Sequence, residues 1–214
     1  MSWDFAELRR LCRARKRPDP RTYTNALQWK CERADLHAKA AQLARKRLTP
    51  ANTKVWVDSP AGHKWQSVET AETEAAAQTL HSMGDLLAQI LNCAVIPTPL
   101  AEDKVGLHRV RQESAKLANA GTLVRELDSL RKSPEWQYIE AFVNTIKHRH
   151  LLDTEYTITS RSAAAEPQGI KFLQFTYNGR ALPAAWAADI TGPYRMRLFD
   201  LITNVGNATN AFLR

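Results

Sequence analysis

Leu80, Met83, Leu87, Ile90 and Leu91 recur at i, i+3, i+7, i+10 and i+11. That spacing puts all five on one face of an α-helix but divides them between the two faces of a strand. A helix with such a face is stable only against another apolar element, so the chain is constrained to helix packing. The pattern predicts a helix from about Ser67 to Val95, ended by Pro97 and Pro99. Similar reasoning predicts a short helix over residues 2–15, with Trp3, Leu8, Leu11 and Cys12 on its apolar stripe and Ser2 or Asp4 as its cap. Pro18 and Pro20 close it, and a long helix follows from Thr22 to Arg47, stopped at Thr49-Pro50. Further helices are expected at 106–120, at Thr122–Arg131 after a break at Gly121, from Ser133-Pro134 to about Leu152, and from Tyr194 to Phe212.

Two stretches read differently. Val55, Trp56 and Val57 form a short extended piece before a turn at Asp58-Ser59-Pro60-Ala61-Gly62. Residues 156–159 and part of 170–177 alternate with period two, and Asn178-Gly179 is a turn signal. These give a β-hairpin over about 154–178 with a loose tip at 161–169. The expected fold is mainly α: an antiparallel helical bundle with one β-hairpin inserted before the C-terminal helix. Residues 1–20 form a basic N-terminal segment and 21–214 a single helical domain.

Composition narrows the function classes. A chain of 214 residues, 44% hydrophobic and 24% charged, is long enough to bury a core. No stretch approaches the roughly 20 apolar residues that span a bilayer, and no apolar run follows the N-terminal basic residues as in a secretory signal, so no membrane partner is expected. Cys12, Cys31 and Cys93 are odd in number and form no CxxC, which points to the cytoplasm. The net charge of +8 is uneven: residues 1–54 carry 14 Lys+Arg and 5 Asp+Glu, a net of +9, and the remainder is −1. The densest run is Arg9, Arg10, Arg13, Arg15, Lys16 and Arg17, with a second cluster at Arg45, Lys46 and Arg47. Such runs attract phosphates through counterion release, so RNA or DNA is an expected partner. The alternative is a solvated helix face or terminal arm.

Asn144, Lys147 and His148 share one side of the helix that begins at Ser133. An amide, an ammonium and an imidazole so placed could hold a phosphate and supply a proton near neutral pH. Equally, Lys147, His148 and Arg149 near a helix C-terminus face the helix dipole favourably without further function. His81 and Asp85 stand one turn apart, but two side chains are not a metal site, and no metal or cofactor is expected. GxGxxG, GxxxxGK[ST] and GxSxG are absent from the sequence.

His81-Ser-Met-Gly-Asp85-Leu-Leu-Ala-Gln-Ile followed by Tyr138-Ile-Glu-Ala-Phe-Val-Asn144-Thr-Ile-Lys147-His148-Arg149 resembles the HEPN-like superfamily. The resemblance extends over residues 22–214, and some bacterial members carry a similar hairpin and closing helix. It implies an antiparallel helical bundle, frequently a homodimer. Many members are metal-independent ribonucleases, and others are inactive binding modules. Active members carry Arg, four to six residues, then His; this chain has no Arg at those positions before His148 or His150. By resemblance, His148 stands as the base, Lys147 or Arg149 as the cation, and Asp85 as the polar residue of the earlier helix. The reading is an HEPN-like nucleotide-, phosphate- or RNA-binding or regulatory module. The alternatives are a ribonuclease using His148, Lys147, Asn144, Arg149, Asp85 and His81, and a purely structural dimer.

Overall fold

The computed structural model describes residues 2–48, 58–148, 150–157 and 169–214. The chain is mainly α. Helix α1 spans Phe5–Ala14, α2 Arg21–Arg47, α3 Pro60–Ala94, α4 Leu107–Ser114, α5 Gly121–Lys132, α6 Pro134–His148 and α7 Arg195–Leu213. The extended piece expected at Val55, Trp56 and Val57, and the hairpin tip at 161–168, lie outside the described residues.

The chain divides into two compact units. The first comprises Met1–Glu32, Leu80–Gln137 and Met196–Arg214; the second comprises Arg33–Thr79 and Tyr138–Arg195. Helices α2, α3 and α6 each contribute residues to both. Trp3, Leu8, Leu11 and Cys12 of the N-terminal segment are buried in the first unit. Asp4 caps α1, accepting the Glu7 N–H at 2.9 Å. The Trp3 indole donates to Asn210 Oδ1 at 3.3 Å. The periodic face of α3 is buried as expected, with Met83, Leu87, Ile90 and Leu91 fully enclosed. Arg111 on α4 makes a two-pronged contact with Asp128 on α5, at 2.9 and 2.6 Å.

Trp136 closes this unit against α3. Ser133 Oγ accepts the Trp136 N–H at 3.1 Å, so Ser133 caps α6 with Pro134 in the first helical position, as expected. The indole lies where a Cβ on Gly84 would be, so only glycine permits this approach.

The second unit holds the β-structure. Strand β1, Thr154–Thr157, pairs antiparallel with β2, Gly169–Phe172, in the register Thr154↔Phe172. This is the expected hairpin. The chain then forms β3, Phe175–Tyr177, and β4, Arg180–Leu182, joined by Asn178 and Gly179. Both turn residues have positive φ, 49° and 77°, as a type I′ turn requires. A short β5, Ala185–Trp186, returns to the other edge of β2. Phe172, Phe142, Phe175 and Tyr138 form a buried cluster of edge-on rings, with Phe142 and Phe172 centroids 4.9 Å apart.

Helix α3 begins at Pro60, earlier than expected. The residues read as a turn are a helix start: Ser59 Oγ accepts the Gly62 N–H at 3.1 Å, and Pro60 occupies the first helical position. Helix α4 ends at Ser114, short of the expected 120, and the chain takes a positive φ of 63° at Asn119 before α5.

Replacing Gly84 with Ala should cost about 1–3 kcal/mol, since Trp136 must be displaced. Gly121→Ala is the control: a Cβ there meets nothing within 4 Å, and the change should gain about 0.5–1 kcal/mol through the unfolded state. Urea denaturation of both variants decides it; equal midpoints would show that the Gly84 approach is not tight.

Candidate functional site

At the end of α6, Asn144 is half-buried, while Lys147 and His148 are exposed. Between them Thr145 is buried, its hydroxyl donating to the Ala141 carbonyl at 2.8 Å. Arg149 lies outside the described residues. Asn144, Lys147 and His148 belong to the second unit, whereas His81 and Asp85 belong to the first. The candidate set is therefore not assembled within either unit. His81 stacks on Trp136 with centroids 5.8 Å apart and an interplanar angle of 8°. Its Nδ1 is 3.9 Å from the exposed Asp85. His81 and Gly84 together form the seat for the Trp136 indole, which gives His81 a packing role.

The basic run 9–17 lies in the first unit, on α1 and its C-terminal turn. Arg15 Nε donates to the Leu213 carbonyl at 2.7 Å, and Arg17 Nη1 to the Ile96 carbonyl at 3.2 Å. These two guanidinium groups satisfy main-chain acceptors at the last residue of α7 and just past the end of α3. Arg9 is half-buried; Arg10, Arg13 and Lys16 are exposed, and Arg10 is 3.8 Å from Glu7. Helix α1 ends in a Schellman motif: the Arg17 N–H bonds the Cys12 carbonyl at 2.8 Å and the Lys16 N–H bonds Arg13 at 3.1 Å. Lys16 occupies the left-handed position of that motif, with φ 54°, where glycine is the favoured residue.

The second unit contains a constellation that sequence reasoning missed. Glu69 on α3 has a side chain with no solvent exposure, and Arg45 on α2 donates to it through Nε at 2.7 Å. The Ile170 N–H at the start of β2 also bonds this carboxylate. Gly169 has φ 122°, and a Cβ there would come within 3.3 Å of Arg45 Nε and 3.4 Å of Glu69 Oε1. Burial raises the Glu69 pKa above its ordinary value, outweighing the lowering by Arg45. Arg45 Nη2 and Glu69 Oε2 are buried without hydrogen-bond partners.

Nearby in the same unit, Arg195 pairs with Asp35 of α2. Arg195 also donates through Nε to the Thr191 carbonyl at 2.9 Å. It follows a π-helical turn, Ile190–Tyr194, that contains Pro193. The signal for this feature was Gly192-Pro193 ahead of a helix; the signal for Arg45 was its basic cluster, which does not identify a partner on another helix.

The chain matches no family model, no curated protein and no solved structure.

Glu69 provides a pH test. A carboxyl whose pKa is higher folded than unfolded favours folding below the unfolded value of about 4.3, and this contribution is lost as pH rises through the folded value. Glu69→Gln should therefore flatten the decline in urea midpoint between acidic and neutral pH. Parallel parent and variant profiles would refute the assignment. Arg45→Ala, which leaves the carboxylate buried alone, should cost about 3–5 kcal/mol at neutral pH.

Proposed function

We propose that the chain is a non-catalytic, HEPN-like RNA-binding module that engages phosphates through the basic end of α1. The carrying observation is Lys16. A side chain in the left-handed region costs roughly 1–2 kcal/mol relative to the right-handed one, a cost that glycine avoids. Selection for stability alone would favour glycine at this position. A lysine here retains a cation at the expense of backbone strain, in line with the exposed Arg10 and Arg13. The resemblance of the His81–Ile90 and Tyr138–Arg149 segments to a superfamily of RNA-directed proteins supports the same reading.

Two variants separate charge from fold. Lys16→Gly should raise stability by about 1 kcal/mol while weakening binding to labelled single-stranded RNA. Arg10→Glu/Arg13→Glu/Lys16→Glu should abolish binding; each single neutralisation should reduce the slope of log affinity against log salt by about 0.7. Unchanged affinity in the triple variant would remove the proposal. Cleavage of RNA in EDTA that disappears in His148→Ala would replace it with the ribonuclease reading.

A homodimer is favoured by one further observation. Leu36 and Leu43 on α2 are 63% and 54% exposed, and Trp29, seven residues before Leu36, is 64% exposed. Residues seven apart lie on one helix face, and an exposed face carrying three large apolar side chains suits burial against a second copy. Light scattering of Leu36→Glu should show a monomer where the parent shows a dimer; a monomeric parent would exclude this role for α2.

A further inference from the structure

A pocket of about 190 Å³ opens on the second unit between α2 and the π-helical turn. Asp35, Lys39, Gln42 and Arg45 come from one face of α2, and Thr191 and Arg195 from the opposite wall. Ala38, Ala188 and Gly192 supply the remaining lining. The volume falls below the ~300 Å³ at which drug-sized sites begin. The pocket suits a compact polar group.

Its charge is distinctive. Three cations, Lys39, Arg45 and Arg195, face one carboxylate, Asp35. Asp35 pairs with Arg195, so the one carboxylate of the lining is engaged there and not with Lys39 or Arg45. Lys39 is exposed, with no ion pair among the described residues. Arg45 commits Nε to Glu69, but a guanidinium has five N–H donors, and Arg45 also lines the pocket. A ligand that satisfies these groups must be anionic and offer several acceptor oxygens in different directions. A spherical anion provides no directed array, and a planar carboxylate provides two oxygens in one plane. A phosphoryl group provides three or four in a tetrahedron, which can meet three separately anchored cations at once.

The geometry points to a phosphoryl-binding site in this pocket, with Lys39, Arg45 and Arg195 as its cationic contacts and Gln42 as a neutral donor. The ligand is free phosphate or the terminal phosphate of a larger molecule whose remainder stays in solvent. Asp35 holds Arg195 when the site is empty and competes with the ligand for it, so the site discriminates in favour of dianions.

The test is calorimetric titration of the full chain with inorganic phosphate at low ionic strength, with chloride as control. The parent should bind phosphate saturably in the millimolar range or tighter and should not bind chloride. Lys39→Glu, which alters an exposed side chain and should leave the melting temperature unchanged, should weaken binding at least about tenfold, as expected for reversing a charge at contact distance. Asp35→Asn should tighten it. No saturable binding, or equal affinity in the Lys39→Glu variant, would overturn the proposal. A parallel titration with a short 5′-phosphorylated oligonucleotide and its 5′-hydroxyl counterpart identifies the source. A preference for the phosphorylated form that Lys39→Glu abolishes assigns a terminal phosphate; phosphate binding without that preference assigns the free ion. The RNA-binding reading is separable, because Arg10→Glu/Arg13→Glu/Lys16→Glu should leave the phosphate titration unchanged.

Discussion

A carboxylate removed from water must find compensation within the protein, and Glu69 is such a group. Its partners come from three directions: its own helix α3 positions it, Arg45 reaches it from α2, and the Ile170 N–H meets it from the first residues of β2. One side chain thereby fixes two helices and the central strand of a sheet within the second unit. The fit continues outward. Gly169 leaves room for the Arg45 and Glu69 side chains, and the Tyr156 hydroxyl, on the strand paired with β2, donates to the Leu48 carbonyl just past the end of α2. Burial pushes the Tyr156 hydroxyl pKa up to about 12, with the Glu69 charge adding to the effect. A buried ion pair of this kind is rarely more stabilising than an apolar replacement of equal volume. Its effect is to specify one arrangement, because any shift of α2 or β2 leaves a charge uncompensated.

That arrangement determines what Arg45 can do. With Nε held by Glu69, the guanidinium is kept at the pocket wall by its fixed side and contributes there with its remaining donors. Arg195 is held in the same manner by Asp35 and by the Thr191 carbonyl of the π-helical turn. Two arginines thus reach one pocket, each already oriented by a carboxylate and so losing less entropy on binding an anion than a free side chain would. The difference between the carboxylates matters. Glu69 lies outside the lining and cannot be displaced by a ligand, whereas Asp35 is part of it.

The helices were legible because their signal is local. The α3 face follows from the spacing of five apolar residues, and the α6 start follows from Ser133 and Pro134. The same signal misled at Ser59-Pro60, since a serine followed by proline initiates a turn or a helix, and only the residues beyond decide between them. The 170–177 run hid an interruption: β2 ends at Phe172 and β3 begins at Phe175, while the Leu173 N–H turns to the Asp153 carbonyl. The pocket was not legible at all. Arg45 and Glu69 are 24 positions apart, and Asp35 and Arg195 are farther still. Pairings between charges on distant segments have no period to read, and a cluster such as Arg45, Lys46 and Arg47 looks uniform until the fold gives each member a different neighbour.

The excess charge of the first quarter shows why counting cations is a weak guide to function. Its members divide by what holds them. Arg15 and Arg17 close the carbonyl ends of other segments, so their charge serves the fold. Arg45 is divided between a buried partner and a pocket. Lys16 belongs to neither group: its side chain is exposed, and its backbone takes a conformation that a lysine pays for and a glycine would not. A cation that stabilises its surroundings has a structural reason to be present. One that strains them needs another reason, and under the proposed function that reason is attraction for a phosphate backbone.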